Sequence, residues 1–270
     1  MTAWLDGQPA SRLPLADRGL AYGDGLFETM QVRQGRVPLL DRHLQRLQLG
    51  CQRLALEADL PQLRQEITAF AATMREGVCK LILTRGDGQR GYAMPQPTVT
   101  RRILQAAALP HWPAEHSTQG VHLYPCRTRL AIQPALAGLK HLNRLEQVLA
   151  RAEWDDPAYA EGLMLDTSGH VIEGVFSNLF MVRDGSLLTP DLSGSGVAGV
   201  MRGLVMELAR QSGISVHTGN FSMAELAGMD EVFTCNSLYG IWPVRSYRQY
   251  QWSVGPVTLG LQKNIKGQFS

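Results

Sequence analysis

Apolar positions along this chain recur at two periods, and the changes of period mark out its elements. Steps of three and four through Leu44, Leu47, Cys51 and Leu54 predict an amphipathic helix with Asp41 as its cap, followed by a second helix over residues 60–74. The same spacing runs through Leu139, Leu142, Leu145, Val148, Leu149 and Ala152, which predicts a helix that starts at Lys140, and a further helix is expected over residues 200–211. Short apolar runs bounded by Gly, Asp or Asn predict strands. Residues 29–33 and 37–40 flank Gln34-Gly35 as a hairpin, and further strands are expected at residues 79–84, 122–125 and 231–234. GLML and HVIEG lie either side of Asp166-Thr167-Ser168-Gly169, and NLFMV and SLLTP either side of Asp184-Gly185, which reads as a meander of antiparallel strands.

Hairpin links with interspersed helices argue for an α+β fold over a doubly wound parallel sheet. A stretch rich in proline and polar residues, LPHWPAEHSTQG, divides an N-terminal α+β domain, 1–110, from a C-terminal domain, 121–270, with residues 111–120 as linker.

Composition narrows the function classes. With 44% hydrophobic and 19% charged residues the chain is that of a soluble globular protein. Basic and acidic residues, 26 against 24, leave a formal charge of +2, and no basic run is interleaved with aromatics, so nucleic acid and anionic membranes are not expected as partners. No targeting segment and no long apolar window is evident, which points to the cytoplasm. Four separated cysteines and seven scattered histidines lack metal-ligand spacing; the thiols are expected to be reduced and buried, and no metal site is expected.

Candidate chemistry concentrates in a few places. Only four lysines occur, and Lys140 sits in an apolar frame at an expected helix start, where the macrodipole disfavours a cation. Such an amine either snorkels to water or serves as a nucleophile and general base. RGDGQRG, residues 85–91, matches G-x-G-x-x-G, but the following Tyr92-Ala93-Met94-Pro95 cannot open a helix, which excludes a dinucleotide fold. Its Arg85, Arg90 and Tyr92 suit either a carboxylate clamp or a solvated loop. Alternation puts Glu173 on the face of Val171, as a rim charge or as a buried acid in need of a cation, and Asn178 in the next strand offers donor and acceptor. SGSGVAGVMRGLV leads a glycine-rich turn into a helix N-terminus, either an anion site or a helix entry with a flexible approach, with Arg46 and Ser237 as further candidate phosphate donors. A lysine nucleophile, a carboxylate and several oxyanion donors together are the set that pyridoxal 5'-phosphate (PLP) requires.

EGVFSNLF, LLT and VAGVMR, between Glu173 and Arg202, resemble the signature of class IV aminotransferases, the fold-type IV PLP enzymes. DRGLAYGDGLFET, RHLQRL, TRGDGQRGY, GLKHLNRLEQ and CNSLYGIWPV follow the same family's order across nearly the whole chain. The resemblance implies two domains, a small N-terminal α/β sandwich and a larger C-terminal domain with an antiparallel or barrel-like sheet. It implies Lys140 as the Schiff-base lysine and acid/base, and Glu173 as partner of the pyridine nitrogen. Arg46, the Val200 and Met201 amides and Ser237 would hold the phosphate, with Asn178 supporting the cofactor. Arg90, Tyr92 and Phe27 would face the substrate, and a homodimer follows, because in this family the Arg90 loop can reach the neighbouring subunit's site. Within the family, GLKHLNRLEQ and RGDGQRGY are most similar to the 4-amino-4-deoxychorismate lyases, which eliminate pyruvate to leave 4-aminobenzoate for folate synthesis. Branched-chain and D-amino acid aminotransferases on the same scaffold are the alternative.

Overall fold

Residues 2–267 are described in the computed structural model, and their contacts divide the chain into two units. The first is Met1–Pro110 with Leu139–Asn143; the second is His111–Gly138 with Arg144–Ser270.

In the first unit β1 (Ala3–Leu5), β2 (Gln8–Pro9), β3 (Gly25–Arg33), β4 (Glu76–Thr84) and β5 (Arg101–Ala107) form one antiparallel sheet, ordered β2-β1-β5-β4-β3. Its helices are α1 (Arg18–Tyr22), α2 (Leu40–Leu54) and α3 (Leu60–Ala72). Alternation along β3 buries Leu26, Glu28, Met30 and Val32. The apolar ones share a core with Leu44, Leu47 and Cys51 of α2 and Leu63, Ile67 and Phe70 of α3. Each such side chain, removed from water, contributes about 1.5–3 kcal/mol.

The expected stripe on α2 is therefore present, but its start differs. Leu39, at φ 61°, is the cap residue, and Asp41 lies in the first turn, where it pairs with Arg64 of α3 at 2.5 Å. The turn at Gln34-Gly35 forms, with φ of 50° and 73°, and Arg33 bridges Arg36. Residues 37–40 nevertheless run into α2 and make no return strand; Val37 and Leu40 pack against the apolar core of this unit instead. α3 begins as its sequence requires, with Asp59 accepting from the Gln62 N–H at 2.9 Å and Pro61 in the first turn.

The second unit contains β6 (Val121–Leu130), β7 (Tyr159–Asp166), β8 (Val171–Gly174), β9 (Asn178–Arg183), β10 (Ser186–Pro190), β11 (Val216–Gly219), β12 (Glu231–Asn236), β13 (Gly240–Tyr247) and β14 (Tyr250–Gln251). Among them lie α4 (Glu115–Thr118), α5 (Leu145–Arg151), α6 (Val200–Gln211), α7 (Met223–Ala227) and α8 (Pro256–Lys266). The sheet order is β11-β10-β9-β12-β13-β6-β7-β8, and pairing of β8 with β9 closes six strands into a barrel. Both expected hairpins form, the second through Asp184 and Gly185 at φ 50° and 70°. The barrel is not wholly a meander, however: β13–β6 and β6–β7 are parallel. β7 is buried on both faces from Glu161 onward, and its side chains alternate between them: Leu163 and Leu165 join one apolar cluster and Met164 another. The α+β class and the barrel-like C-terminal sheet expected from the sequence are both present.

The helix expected to start at Lys140 does not. Leu139–Asn143 is extended and lies along the outer edge of β3 in the first unit, with Phe27 N–H donating to the Lys140 carbonyl at 2.9 Å and Leu142 N–H to the Gly25 carbonyl at 3.0 Å. Helix α5 begins only at Leu145. The apparent periodicity spans two environments: Leu139 is buried in the first unit's core, whereas Leu145, Val148 and Leu149 are exposed. A helix-start argument for the reactivity of Lys140 therefore fails, and covering a sheet edge is what this segment does.

Candidate active site

Lys140 and its neighbours form the first of two residue clusters. The Lys140 Nζ lies 4.3 Å from the centre of the Phe27 ring, and Lys80 Nζ lies 5.3 Å from the same ring. Phe27 and Glu28 point to opposite faces of β3, so Glu28 turns toward α2. There it accepts from Arg46 Nε at 2.8 Å and from one Arg46 Nη, and lies 2.7 Å from His43 Nδ1. Burial alone would raise the Glu28 carboxyl, but Arg46 and His43 outweigh it and hold it down to about 2. Burial lowers the His43 imidazole below its ordinary value, only partly offset by Glu28. Two donors of Arg46, a sequence-derived phosphate ligand, are thus engaged on Glu28.

In the second unit Glu173 and Asn178 are the register pair through which β8 meets β9 and the barrel closes. Glu173 is 4% exposed and accepts from the Val197 N–H at 2.9 Å and from Asn178 Nδ2 at 3.3 Å. Asn178 Nδ2 also reaches the Val197 carbonyl at 2.8 Å. This is a buried acid with directed donors, not a rim charge. The charge of Arg144 supplies a cation in this unit: Glu173 and Glu146 favour its charged form while burial lowers its pKa.

The glycine-rich turn expected as an anion cradle leads into α6, whose cap residue Gly199 makes no side-chain cap. Its room is used up: a Cβ on Gly199 would lie 2.0 Å from Asn178 Oδ1, and one on Gly196, at φ 81°, 3.2 Å from Glu173 Oε2. Val200 and Met201 are buried in the first turn of α6, and Ser237 is half-buried in the turn between β12 and β13. Gly138, two residues before Lys140 in the chain, bridges to this turn, donating to the Gly196 carbonyl at 2.9 Å and accepting from the Ala198 N–H at 3.0 Å.

Arg90 and Tyr92 are exposed on a loop between β4 and β5. Arg85 is not available to a carboxylate clamp with them. It is buried, with Nε on Asp24 at 2.8 Å and its two Nη atoms on the carbonyls of Ala55 and Leu54 at the end of α2. Spacing could not distinguish the arginine that follows β4 directly from the one farther along the loop.

A family model described as amino-transferase class IV matches residues 25–247. The chain belongs to the class IV aminotransferase family. It is 38% identical to an aminodeoxychorismate lyase of Vibrio harveyi, over 97% of this chain and 98% of that protein. The crystal structure of a 4-amino-4-deoxychorismate lyase from Pseudomonas aeruginosa superposes with a TM-score of 0.97 at 57% identity, covering 98% of each chain. The branched-chain amino acid aminotransferase of Escherichia coli shares the fold, with a TM-score of 0.86 at 26% identity over 100% of this chain and 94% of that one. Sequence reasoning about this family member passed over three groups. Arg144 carried no pattern beyond its place in GLKHLNRLEQ. His43 is an ordinary helical residue until Glu28 is set beside it. Glu161 is buried in β7, where it accepts from Ser177 Oγ at 2.6 Å and from the Gly162 and Val175 N–H groups; an acid in an apolar strand was its only signal.

Proposed function

We propose that this protein is a PLP-dependent lyase that eliminates pyruvate from 4-amino-4-deoxychorismate and leaves 4-aminobenzoate, a step of folate biosynthesis. What carries the reading is the contrast between 57% identity to the Pseudomonas aeruginosa lyase and 26% to the Escherichia coli aminotransferase on one shared fold.

The donor set fits the cofactor. Lys140 supplies the amine that would anchor it, and Glu173, buried and held by the Val197 and Asn178 donors, the carboxylate that would keep its ring nitrogen protonated. The start of α6, which has no side-chain cap, offers the Val200 and Met201 N–H groups for a phosphate, with Ser237 and Arg46 as the side chains that would join them. Asn178 would keep that turn and Glu173 in register. When bound, PLP supplies an electron sink for the pair left on a substrate carbon that loses its proton. Lys140 Nζ, as the neutral amine, would take that proton from the carbon bearing the substrate nitrogen, and the Phe27 ring beside it would help to place the side chain. Arg90 and Tyr92 would receive a substrate carboxylate. Loss of pyruvate makes the substrate ring aromatic, which drives the elimination forward.

The assay supplies PLP and 4-amino-4-deoxychorismate and follows 4-aminobenzoate and pyruvate in equal amounts. Absence of both products, together with brisk transfer of an amino group from a branched-chain or D-amino acid to a keto acid, would overturn the lyase reading in favour of an aminotransferase.

The reading includes a cytoplasmic homodimer. Leu145, Val148 and Leu149 are 75%, 60% and 60% exposed on one short helix, α5, an apolar face that a second copy would cover. Light scattering should give twice the 29.8 kDa chain mass. No helix among the described residues is long and apolar enough to cross a membrane.

A further inference from the structure

Arg18 is buried, 4% exposed, at the start of α1, where its side chain pairs with the Asp24 carboxylate. Its Nε donates to Asp24 Oδ2 at 2.9 Å. The rest of the guanidinium is turned on three successive main-chain carbonyls: Nη1 reaches Gly91 at 3.1 Å and Ala93 at 3.2 Å, and Nη2 reaches Tyr92 at 3.3 Å. These carbonyls belong to a stretch with neither helix nor strand, so they have no ladder to satisfy them. A five-donor planar cation replaces that ladder.

The loop is fitted around the arginine stem. A Cβ on Gly88 would lie 2.7 Å from Arg18 Cδ and 2.8 Å from Cγ, so only glycine lets the chain pass. Tyr22, one helical turn on, packs its ring 4.9 Å from the guanidinium carbon and 5.5 Å from the ring of Tyr92, and its hydroxyl accepts from the Gly91 N–H at 3.2 Å. Arg18 is itself held from behind. Asp24 is shared with Arg85, which is fixed to the end of α2, and these two arginines hold the Asp24 carboxyl below its usual range against the effect of burial. The loop base has a second tie, Asp87 to Arg101 at 2.8 and 3.1 Å. Inside this frame the main chain is pinned; outside it Arg90 and Tyr92 point to solvent, Tyr92 being 85% exposed.

We propose that Arg18 is the positioning residue of the substrate loop: by clamping the carbonyls of Gly91, Tyr92 and Ala93 it presents Arg90 and Tyr92 in fixed geometry to a substrate carboxylate. The proposal rests on the reading of Arg90 and Tyr92 as carboxylate ligands. Arg18 touches no substrate. It acts by removing the ordering cost that a mobile loop would incur on binding, and a misplacement of about 1 Å in such a group can cost up to about a hundredfold.

The test uses the PLP-loaded enzyme with 4-amino-4-deoxychorismate. Arg18→Lys keeps the charge and most of the stem but loses the fork, and Gly88→Ala pushes on the stem while leaving the guanidinium intact. Each should raise KM about tenfold or more, with kcat changed less than about threefold. Each should also speed trypsin cleavage after Arg90, mapped by mass spectrometry on enzyme without substrate. In an Arg90→Ala background, where KM is already raised, Arg18→Lys should raise it by a clearly smaller factor than in the parent, since only Tyr92 is left for it to position. If Arg90→Ala leaves KM unchanged, the carboxylate reading of the loop falls and the proposal with it. If Arg90→Ala raises KM but Arg18→Lys and Gly88→Ala alter neither KM nor cleavage, the reading stands and the role of Arg18 is overturned. An Arg18→Lys effect confined to kcat, or additive with Arg90→Ala, overturns it as well.

Discussion

Lys140 Nζ stands 4.3 Å from the Phe27 ring, and two substitutions separate its charge from its chemistry. Lys140→Arg keeps a cation over the ring, but a guanidinium stays protonated near neutral pH and serves neither as anchor nor as base. Turnover should fall by about 10²–10⁴ while the thermal midpoint stays near that of the parent, as steady-state assays and melting curves will show. Glu28 is a different case, because its role is set by a buried pair. Glu28→Gln leaves Arg46 and His43 without their carboxylate and should cost about 3 kcal/mol in denaturant unfolding. The sign with pH follows from the depressed carboxyl. Ionised Glu28 contributes fully above its unfolded value of 4.5, and the contribution is lost as pH falls from there toward 2. The parent should therefore lose stability across that acid window more steeply than the Gln variant.

Among the elements, α6 shows how one residue type takes opposite roles in a single helix. Gly199 has no room for a Cβ, since Asn178 Oδ1 would be 2.0 Å away, whereas nothing lies within 4 Å of the position a Cβ on Gly203 would take. Gly203→Ala should stabilise by about 0.5–1 kcal/mol through helix propensity, a shift of a few degrees in a thermal scan. Gly199→Ala should displace the Asn178 amide and with it the support of Glu173, costing about 1–3 kcal/mol and weakening PLP binding in a fluorescence titration. The limits of α6 were legible as residues 200–211, because glycine-rich approach, apolar period and terminus agreed. Those of α5 were not. Leu139 and Leu142 continue its apolar period by chance, yet they belong to a segment whose backbone hydrogen bonds go to β3, and helical spacing says nothing about which partner a backbone will find.

For the molecule as a whole, buried titratable groups set opposing limbs of the stability curve. His43 is held neutral by burial, so its contribution is present above the unfolded value of 6.5 and is lost as pH falls through the window below it. Glu161 works the other way. Burial pushes its carboxyl up to about 8 in spite of the Ser177 hydroxyl and the backbone donors around it. The native state then holds a proton that the unfolded chain gives up above 4.5, and stability declines as pH rises from 4.5 to 8. Glu161→Gln mimics the protonated acid and should remove this decline. Urea unfolding should find the variant within about 1 kcal/mol of the parent at pH 5 and more stable at pH 9, with the parent alone losing stability in between. The four thiols take no part near neutral pH, since burial raises the pKa of each.

The α+β class, the two hairpins, the apolar stripe of α2 and the glycine-rich start of α6 were all determined locally, by period, turn residues and caps acting within a few positions of one another. Motif order along the chain was enough to point to the family. Tertiary structure alone decided that Lys140 lies along a sheet edge and not at a helix start, that Arg85 is structural while Arg90 is exposed, and that Glu173 and Asn178 close the barrel. Each of these depends on which distant segment satisfies a backbone or a charge, as the Lys140 segment does for β3, Val197 for Glu173 and the C-terminal end of α2 for Arg85. Hydrogen-bond partners far apart in sequence leave no periodic trace in it, and the folded chain is the first place where they meet.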